Sequence, residues 1–288
     1  MTPTSRSATH DISSTATVSS TTWASGSRAT SNFLWTLWCA LGLRLGVSAE
    51  SWANAWSIAC YAATIALLAL LTVERRRDAR GGPPPDAWGA LPVAAILAAS
   101  HREWAVFATS GLETSMFTLL VVTGYAACVQ ALREVERSDG SAAGVADPVA
   151  RWIVIAGVIE GLVCLSRPDG ARFAVVTGVF LLWALRSPRR VLGYAIAVAA
   201  LVVPYAIWKL AYYGDLLPNT FYAKSAARAW LGQGLIYIGL YAREYWALSA
   251  GFVAAVGVSV AAALAGRRGA SAAENPQPPG WPPRGGRP

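Results

Sequence analysis

The chain has 288 residues, of which 55% are apolar and only 14% charged, with 24 basic against 16 acidic side chains for a net charge of +8. Apolar runs of about 20 residues, long enough to cross a bilayer, recur from Trp52 onward. This excludes a soluble globular enzyme. It also removes any need for nucleic acid to explain the charge, because the basic residues sit in short clusters between apolar runs, where the orientation signals of membrane proteins lie.

Residues 1–30 are rich in Ser and Thr and lack apolar periodicity, so they read as disordered, with none of the n-region and h-region of a signal peptide. Ser31 to Val47 is apolar and aromatic but short for a span and interrupted by Arg44, which suits an interfacial helix. Trp52–Val73 is a full span closed by Arg75-Arg76-Arg77. Trp88–Ser100 begins a second, interrupted at His101-Arg102-Glu103. Met116–Leu132 crosses to the cluster Arg133 to Arg137, Trp152–Leu165 crosses to Arg167-Pro168-Asp169-Gly170, and Phe173–Leu185 returns to Arg186 to Arg190. Val191–Leu210 leads to an unusual stretch, Tyr212 to Lys224, and a last span covers about Trp246 to Ala265. A Pro/Gly-rich tail, residues 267–288, reads as disordered. The expected fold is all-α: a polytopic transmembrane bundle of about six or seven spans plus an interfacial helix, with residues 31–266 as its core.

Alternation then sorts the loops. With Arg75 to Arg80 on the cytoplasmic side, Arg133–Arg137, Arg186–Arg190 and Arg267-Arg268 fall there too. Three polar segments share the opposite, extracytoplasmic face: Ala108–Thr114, Arg167–Gly170 and Asp215–Lys224. Glu113, Asp169 and Asp215 bring carboxylates there, and Arg167, Arg172 and Lys224 bring cations. Cations among aromatics at a bilayer surface suit a lipid phosphate, while carboxylates and Asn219 beside Tyr222 suit sugar hydroxyls. The plainer alternatives are an interfacial aromatic belt for Tyr212, Tyr213 and Tyr222, and a salt bridge between Arg167 and Asp169 that pins the turn. Glu160, mid-span, is expected to face the bundle interior with a partner, and Lys209 to snorkel toward the interface. Cys39, Cys60, Cys128 and Cys164 show no metal-ligand spacing and His10 and His101 are isolated, so neither a metal site nor a cofactor is expected.

Four segments occur in an order that resembles one group of GT-C type membrane glycosyltransferases, those similar to the mycobacterial terminal arabinofuranosyltransferase. They are Ser31-Asn-Phe-Leu-Trp-Thr36, Ala108-Thr-Ser-Gly-Leu-Glu-Thr114, Arg167-Pro-Asp-Gly170 and Tyr213-Gly-Asp-Leu-Leu-Pro-Asn-Thr-Phe-Tyr-Ala-Lys224. The resemblance runs from about Ser31 to the last span. It implies transfer of a sugar, a pentofuranose in that group, from a polyprenyl-phosphate donor to an extracytoplasmic cell-envelope glycan, with inversion, at a bacterial plasma membrane. By the same resemblance, an Asp of the first external loop is the general base. Lys224 and Arg167 would stabilise the departing lipid phosphate, and Asp215, Asn219, Tyr222 and Glu113 would bind sugar or anchor the loops.

Residues 1–30 do not resemble that external loop. Back-translated and read one base out of register, however, Met1-Thr2 forces an Asp codon and Trp23-Ala24 a Gly codon. Permitted codons elsewhere give an acidic start and a Glu-Gly-Tyr that joins directly onto Ser31-Asn32. The expectation is a single-base frameshift near Thr30, leaving a core fragment whose general-base Asp is not encoded in frame. Two other readings stay open: a transporter or flippase-like bundle, drawing on Pro92, Pro204 and Glu160, and an inactive remnant of the glycosyltransferase group.

Overall fold

In a computed structural model the residues described are 32–78, 92–137, 147–214 and 231–273. All of their regular structure is helical: α1 (Phe33–Arg44), α2 (Ala49–Asp78), α3 (Val93–Ser100), α4 (Arg102–Thr109), α5 (Thr114–Arg137), α6 (Pro148–Ser166), α7 (Gly170–Leu185), α8 (Pro188–Tyr213), α9 (Leu231–Glu244) and α10 (Trp246–Ala273). The protein is an all-α, polytopic membrane bundle. Four of the described helices, α2, α5, α6 and α8, are long and apolar enough to cross a bilayer. The chain divides into two compact units, Met1–Ala226 and Ala227–Pro288. The second contains α9 and α10, which pack on each other; α10 runs past Arg267-Arg268 to Ala273.

Side-chain pairs fix the direction of each helix in the first unit. Ser57 of α2 lies 3.3 Å from Ser115 of α5, while Glu74 of α2 accepts from Arg133 of α5 at 2.8 Å. The two helices therefore run parallel, and the chain between them must return across the bundle. From Ser57 to Glu74 the rise is roughly 25 Å. The return passes through α3 and α4, eight residues each, meeting at His101. The second expected span is thus a broken one. His101 has extended backbone, and its Nδ1 accepts the Trp104 N–H at 3.3 Å, capping α4. The Ala99 carbonyl, which a continuous helix would have paired with the Glu103 N–H, accepts from the Tyr61 hydroxyl at 3.2 Å. A break inside the membrane is tolerated because protein groups take up the freed backbone. Pro92 merely caps α3, and Pro204 sits within the continuous α8, so neither supplies the break the transporter reading drew on.

The centre of the unit is α6, packed on α5 and α8. Asp147, just before α6, pairs with Arg190 near the start of α8 at 3.0 Å. Gly157 of α6 lies against Tyr194 and Ala197 of α8, and Gly161 against Leu201. Hence α6 and α8 are parallel, and α7, 16 residues long, is the return between them. A Cβ on Gly157 would stand 2.6 Å from the Tyr194 carbonyl oxygen, and one on Gly161 2.8 Å from Leu201. Gly157-Val-Ile-Glu-Gly161 is a small-xxx-small motif that lets two backbones approach where apolar burial gives no drive for helix association. Ala127, Ala131, Val149, Ile153, Ala156 and Leu181 fill the adjoining core.

Candidate functional site

These directions place Glu113, Arg167 and the C-terminal end of α8 at one end of the bundle. Glu74, Arg133, Asp147 and Arg190 lie at the other. Of the loops grouped from the basic clusters, Ala108–Thr114 and Arg167–Gly170 share the first end and Arg133–Arg137 and Arg186–Arg190 the second, while Asp215–Lys224 lies outside the described residues.

At the first end, the segment before α5 is held by Ser57. Its hydroxyl, fully buried, lies 3.2 Å from the Leu112 carbonyl, 3.3 Å from Ser115 Oγ and 3.5 Å from the Phe107 carbonyl. Gly111 turns the chain at φ +69, a conformation that favours glycine, with Asn54 Oδ1 lying close beside it. Glu113 follows, 9% exposed. Across from it, α6 ends at Arg167, whose backbone is extended, as a residue before proline prefers. The Gly170 N–H then closes a tight turn onto the Arg167 carbonyl at 2.9 Å. A Cβ on Gly170 would collide with the Val163 carbonyl, so glycine is required at this corner.

The turn delivers the cluster. Arg167 Nη1 donates to Glu113 Oε1 at 3.1 Å and its Nε to Asp169 Oδ1 at 3.0 Å. Its guanidinium lies over the Phe117 ring, 5.5 Å from the centroid. Arg172, 77% exposed at its side chain, donates to Asp169 Oδ2 at 3.3 Å. Two carboxylates and two guanidiniums alternate, so the cluster is neutral as it stands. Beside it, Ser166 Oγ is buried with no hydrogen-bond partner.

The structure thus brings together Glu113, Arg167 and Asp169 from two loops 54 positions apart. The plain salt bridge between Arg167 and Asp169 is present, and Arg167 bridges to Glu113 as well. Asp215, Asn219, Tyr222 and Lys224 lie outside the described residues. Aromatic side chains crowd the same end: Phe33 contacts Tyr205 and Trp208, Trp208 stacks on Tyr212, and Trp38 packs between Trp52 and Trp56. Lys209 does not snorkel. It is 7% exposed with its ammonium 5.8 Å from the Tyr205 ring centre, because it sits on the inner side of α8. Glu160 faces inward as expected, but its partner is the Thr177 hydroxyl at 3.1 Å, and its Oε2 has none.

Two features escaped the sequence reading. The clamp at Ser57 left no signal beyond a serine in an apolar helix. Gly157 and Gly161 did leave one, their spacing of four.

The terminal β-(1→2)-arabinofuranosyltransferase of Corynebacterium glutamicum is 34% identical over 146 residues, which is 48% of this chain and 21% of that protein. The enzyme of the same name from Mycobacterium tuberculosis is 36% identical over 87 residues, 30% of this chain and 14% of that one. This chain resembles terminal arabinofuranosyltransferases. It spans about a fifth of the length of the first and less of the second. No protein-family profile and no solved structure matches it. The arabinofuranosyltransferase resemblance stated from the four motifs is thus met by partial similarity to two enzymes of that name.

Proposed function

We propose that the intact protein is a membrane glycosyltransferase that moves an arabinofuranosyl unit from a polyprenyl-phosphate carrier to a cell-envelope glycan. The work is done on the extracytoplasmic face of a bacterial plasma membrane, within a GT-C type bundle. The partial identity to two enzymes named for arabinofuranosyl transfer carries this reading. The gathering of acidic, basic and aromatic groups at one end of the bundle supports it. In the reaction the acceptor hydroxyl oxygen attacks the anomeric carbon, and the bond to the carrier phosphate breaks. The hydroxyl proton passes to a general base, and the phosphate departs on the lipid. The base is the loop Asp expected in the shifted frame upstream of Ser31. Lys224 and the exposed Arg172 are the cations for the leaving phosphate, while Arg167 holds Glu113 and Asp169 in place beside Arg172. Glu113, Asp169, Asp215, Asn219 and Tyr222 bind the sugar or hold the loops that do.

The test is transfer of radiolabelled arabinofuranose from polyprenyl phosphate to an oligoarabinoside, comparing this chain with a frame-repaired version in membranes. Incorporation by the repaired chain alone is the expected result. Incorporation by neither, together with uptake of the labelled lipid across vesicles, would favour the transporter reading, which the broken α3–α4 crossing suits.

A further inference from the structure

A second feature lies at the other end of the bundle from the Arg167 cluster, along the outward edge of the α6–α8 contact. Asp147, Arg151, Val154 and Val158 follow at spacings of three or four along α6 and so share a face, as Arg189, Gly193 and Ile196 do on α8. The two faces meet twice. Asp147 Oδ2 accepts from Arg190 at 3.0 Å, and a Cβ on Gly193 would rest 3.8 Å from Val154. Arg151 lies between those contacts on α6, and Arg189 adjoins the first on α8. Both arginines are exposed. Arg151 rests over the ring of its neighbour Trp152, 5.4 Å from the centroid, and among the described residues neither arginine is paired with a carboxylate. Asp147 is engaged twice, its Oδ1 accepting the Val149 N–H at 3.0 Å and its Oδ2 holding Arg190. Glu74 and Glu134, at the same end, pair with Arg133 and Arg137 of α5. Arg151, Arg189 and Arg190 thus face one carboxylate, which leaves two positive charges unmatched among the described residues.

We propose that this edge binds an anionic phospholipid of the surrounding leaflet, its phosphate between Arg151 and Arg189 and an acyl chain along Val154, Val158 and Ile196. Charge selects the headgroup. Two unmatched guanidiniums attract a net negative lipid and repel the ammonium of a zwitterionic one. The apolar continuation selects a lipid over a soluble anion. Below the arginines Val154 is 43%, Val158 41% and Ile196 59% exposed, and Gly193 leaves a notch beside them for a hydrocarbon chain. Long arginine stems lie along such a surface while their heads stay at the phosphate level. Arg190 is the poorer phosphate ligand, since drawing it away would break its bridge to Asp147. Sugar transfer at the far end of the bundle plays no part in this binding.

The experiment places the full chain in phosphatidylcholine nanodiscs with a minor share of phosphatidylglycerol or phosphatidylcholine carrying the same acyl-chain diazirine. Cross-links are mapped by mass spectrometry and normalised to those at lipid-facing Val175 and Val179 of α7. Phosphatidylglycerol is expected to label the segments Val154–Val158 and Leu192–Ile196 about tenfold more than phosphatidylcholine does, the scale of two basic groups at a lipid surface in moderate salt. Arg151→Gln with Arg189→Gln should remove that preference. Arg137→Gln, which takes one positive charge from the same end but from a residue paired with Glu134, should preserve it. Equal labelling by the two probes would overturn the proposal, and so would a preference that survives the double substitution. A preference lost equally in Arg137→Gln would mean attraction to the whole basic end and no site. Displacement of the probe by unlabelled polyprenyl phosphate but not by unlabelled phosphatidylglycerol would give the groove to the sugar carrier and refute the assignment. Should the double variant fail to fold, Arg189→Gln alone decides, with an expected loss of about threefold.

Discussion

Gly157→Ala tests the contact on which the first unit is assembled. The new methyl would stand 2.6 Å from the Tyr194 carbonyl oxygen and 2.7 Å from Ala197 Cβ, where ordinary contact begins near 3.4 Å. Both obstacles belong to α8, and the nearer is backbone, so no rotamer change relieves it. The helices must separate by about 0.8 Å along the closest seam, which forfeits dispersion contacts down its length. Overpacking of this kind costs about 1–3 kcal/mol. Replacing glycine in a helix returns up to about 1 kcal/mol of propensity, and a control is needed to remove that gain. Gly193 supplies it: it also lies within a helix, and a Cβ there would rest 3.8 Å from Val154, an ordinary contact. The difference between Gly157→Ala and Gly193→Ala isolates the clash, and about 1–3 kcal/mol shifts the unfolding equilibrium roughly 5- to 140-fold. Reversible SDS titration of the purified chain in mixed micelles, followed by tryptophan fluorescence, measures it. If Gly157→Ala unfolds at the same SDS fraction as Gly193→Ala, the close α6–α8 approach is wrong.

Ser57→Ala should cost about 1 kcal/mol and speed amide exchange in residues 107–115, because the Leu112 carbonyl loses its buried donor; unchanged exchange would remove Ser57 from the clamp. In a cysteine-free background, a membrane-impermeant maleimide should label Asp169→Cys and Tyr212→Cys from one side of the membrane and Arg137→Cys and Arg190→Cys from the other, and labelling of all four from one side would refute the helix directions. Glu74→Gln should lower stability by about 1–3 kcal/mol in the same SDS titration, since it takes the 2.8 Å carboxylate partner from Arg133, whose side chain is only 11% exposed, and an unchanged midpoint would refute the pairing.

Chemistry that repeats along the chain was legible, and chemistry set by one contact was not. Apolar run length and the clusters at Arg75, Arg133 and Arg186 sorted the loops to two ends, because span length and loop charge are properties of segments. The fracture at His101 was visible as an interruption, but not as a helix break whose carbonyl Tyr61 takes over, since that depends on a side chain 38 positions away. Lys209 looked like a snorkelling residue because its place near a span end is readable, whereas which face of α8 turns inward is decided by Gly157 and Gly161 on another helix. Arg167 and Asp169 were legible as neighbours. That Glu113 would complete a bridge needed the antiparallel packing of α5 on α6.

That bridge also divides the labour between the two arginines. Arg167 is tied to two carboxylates, one of them nearly buried, and rests on Phe117. Removing it strands Glu113, whose side chain is 11% exposed. A fully buried pair broken in this way costs 3–5 kcal/mol, and with Arg167 itself 35% exposed the loss should be smaller, about 1–3 kcal/mol. Among the described residues Arg172 is bound only to Asp169, in an exposed pair worth at most about 1 kcal/mol. An arriving phosphate can therefore recruit Arg172 at small cost, while drawing Arg167 away would unseat Glu113. Arg172→Ala should leave the SDS midpoint nearly unchanged and weaken binding of a polyprenyl phosphate about tenfold, the scale of one charge-assisted hydrogen bond. Arg167→Ala should lower the midpoint, and Arg167→Lys should restore it only in part, because an ammonium cannot span both carboxylates. A titration in which Arg172→Ala binds the lipid as tightly as the parent, while Arg167→Ala is as stable as the parent, would reverse the assignment and make Arg167 the anion-binding group.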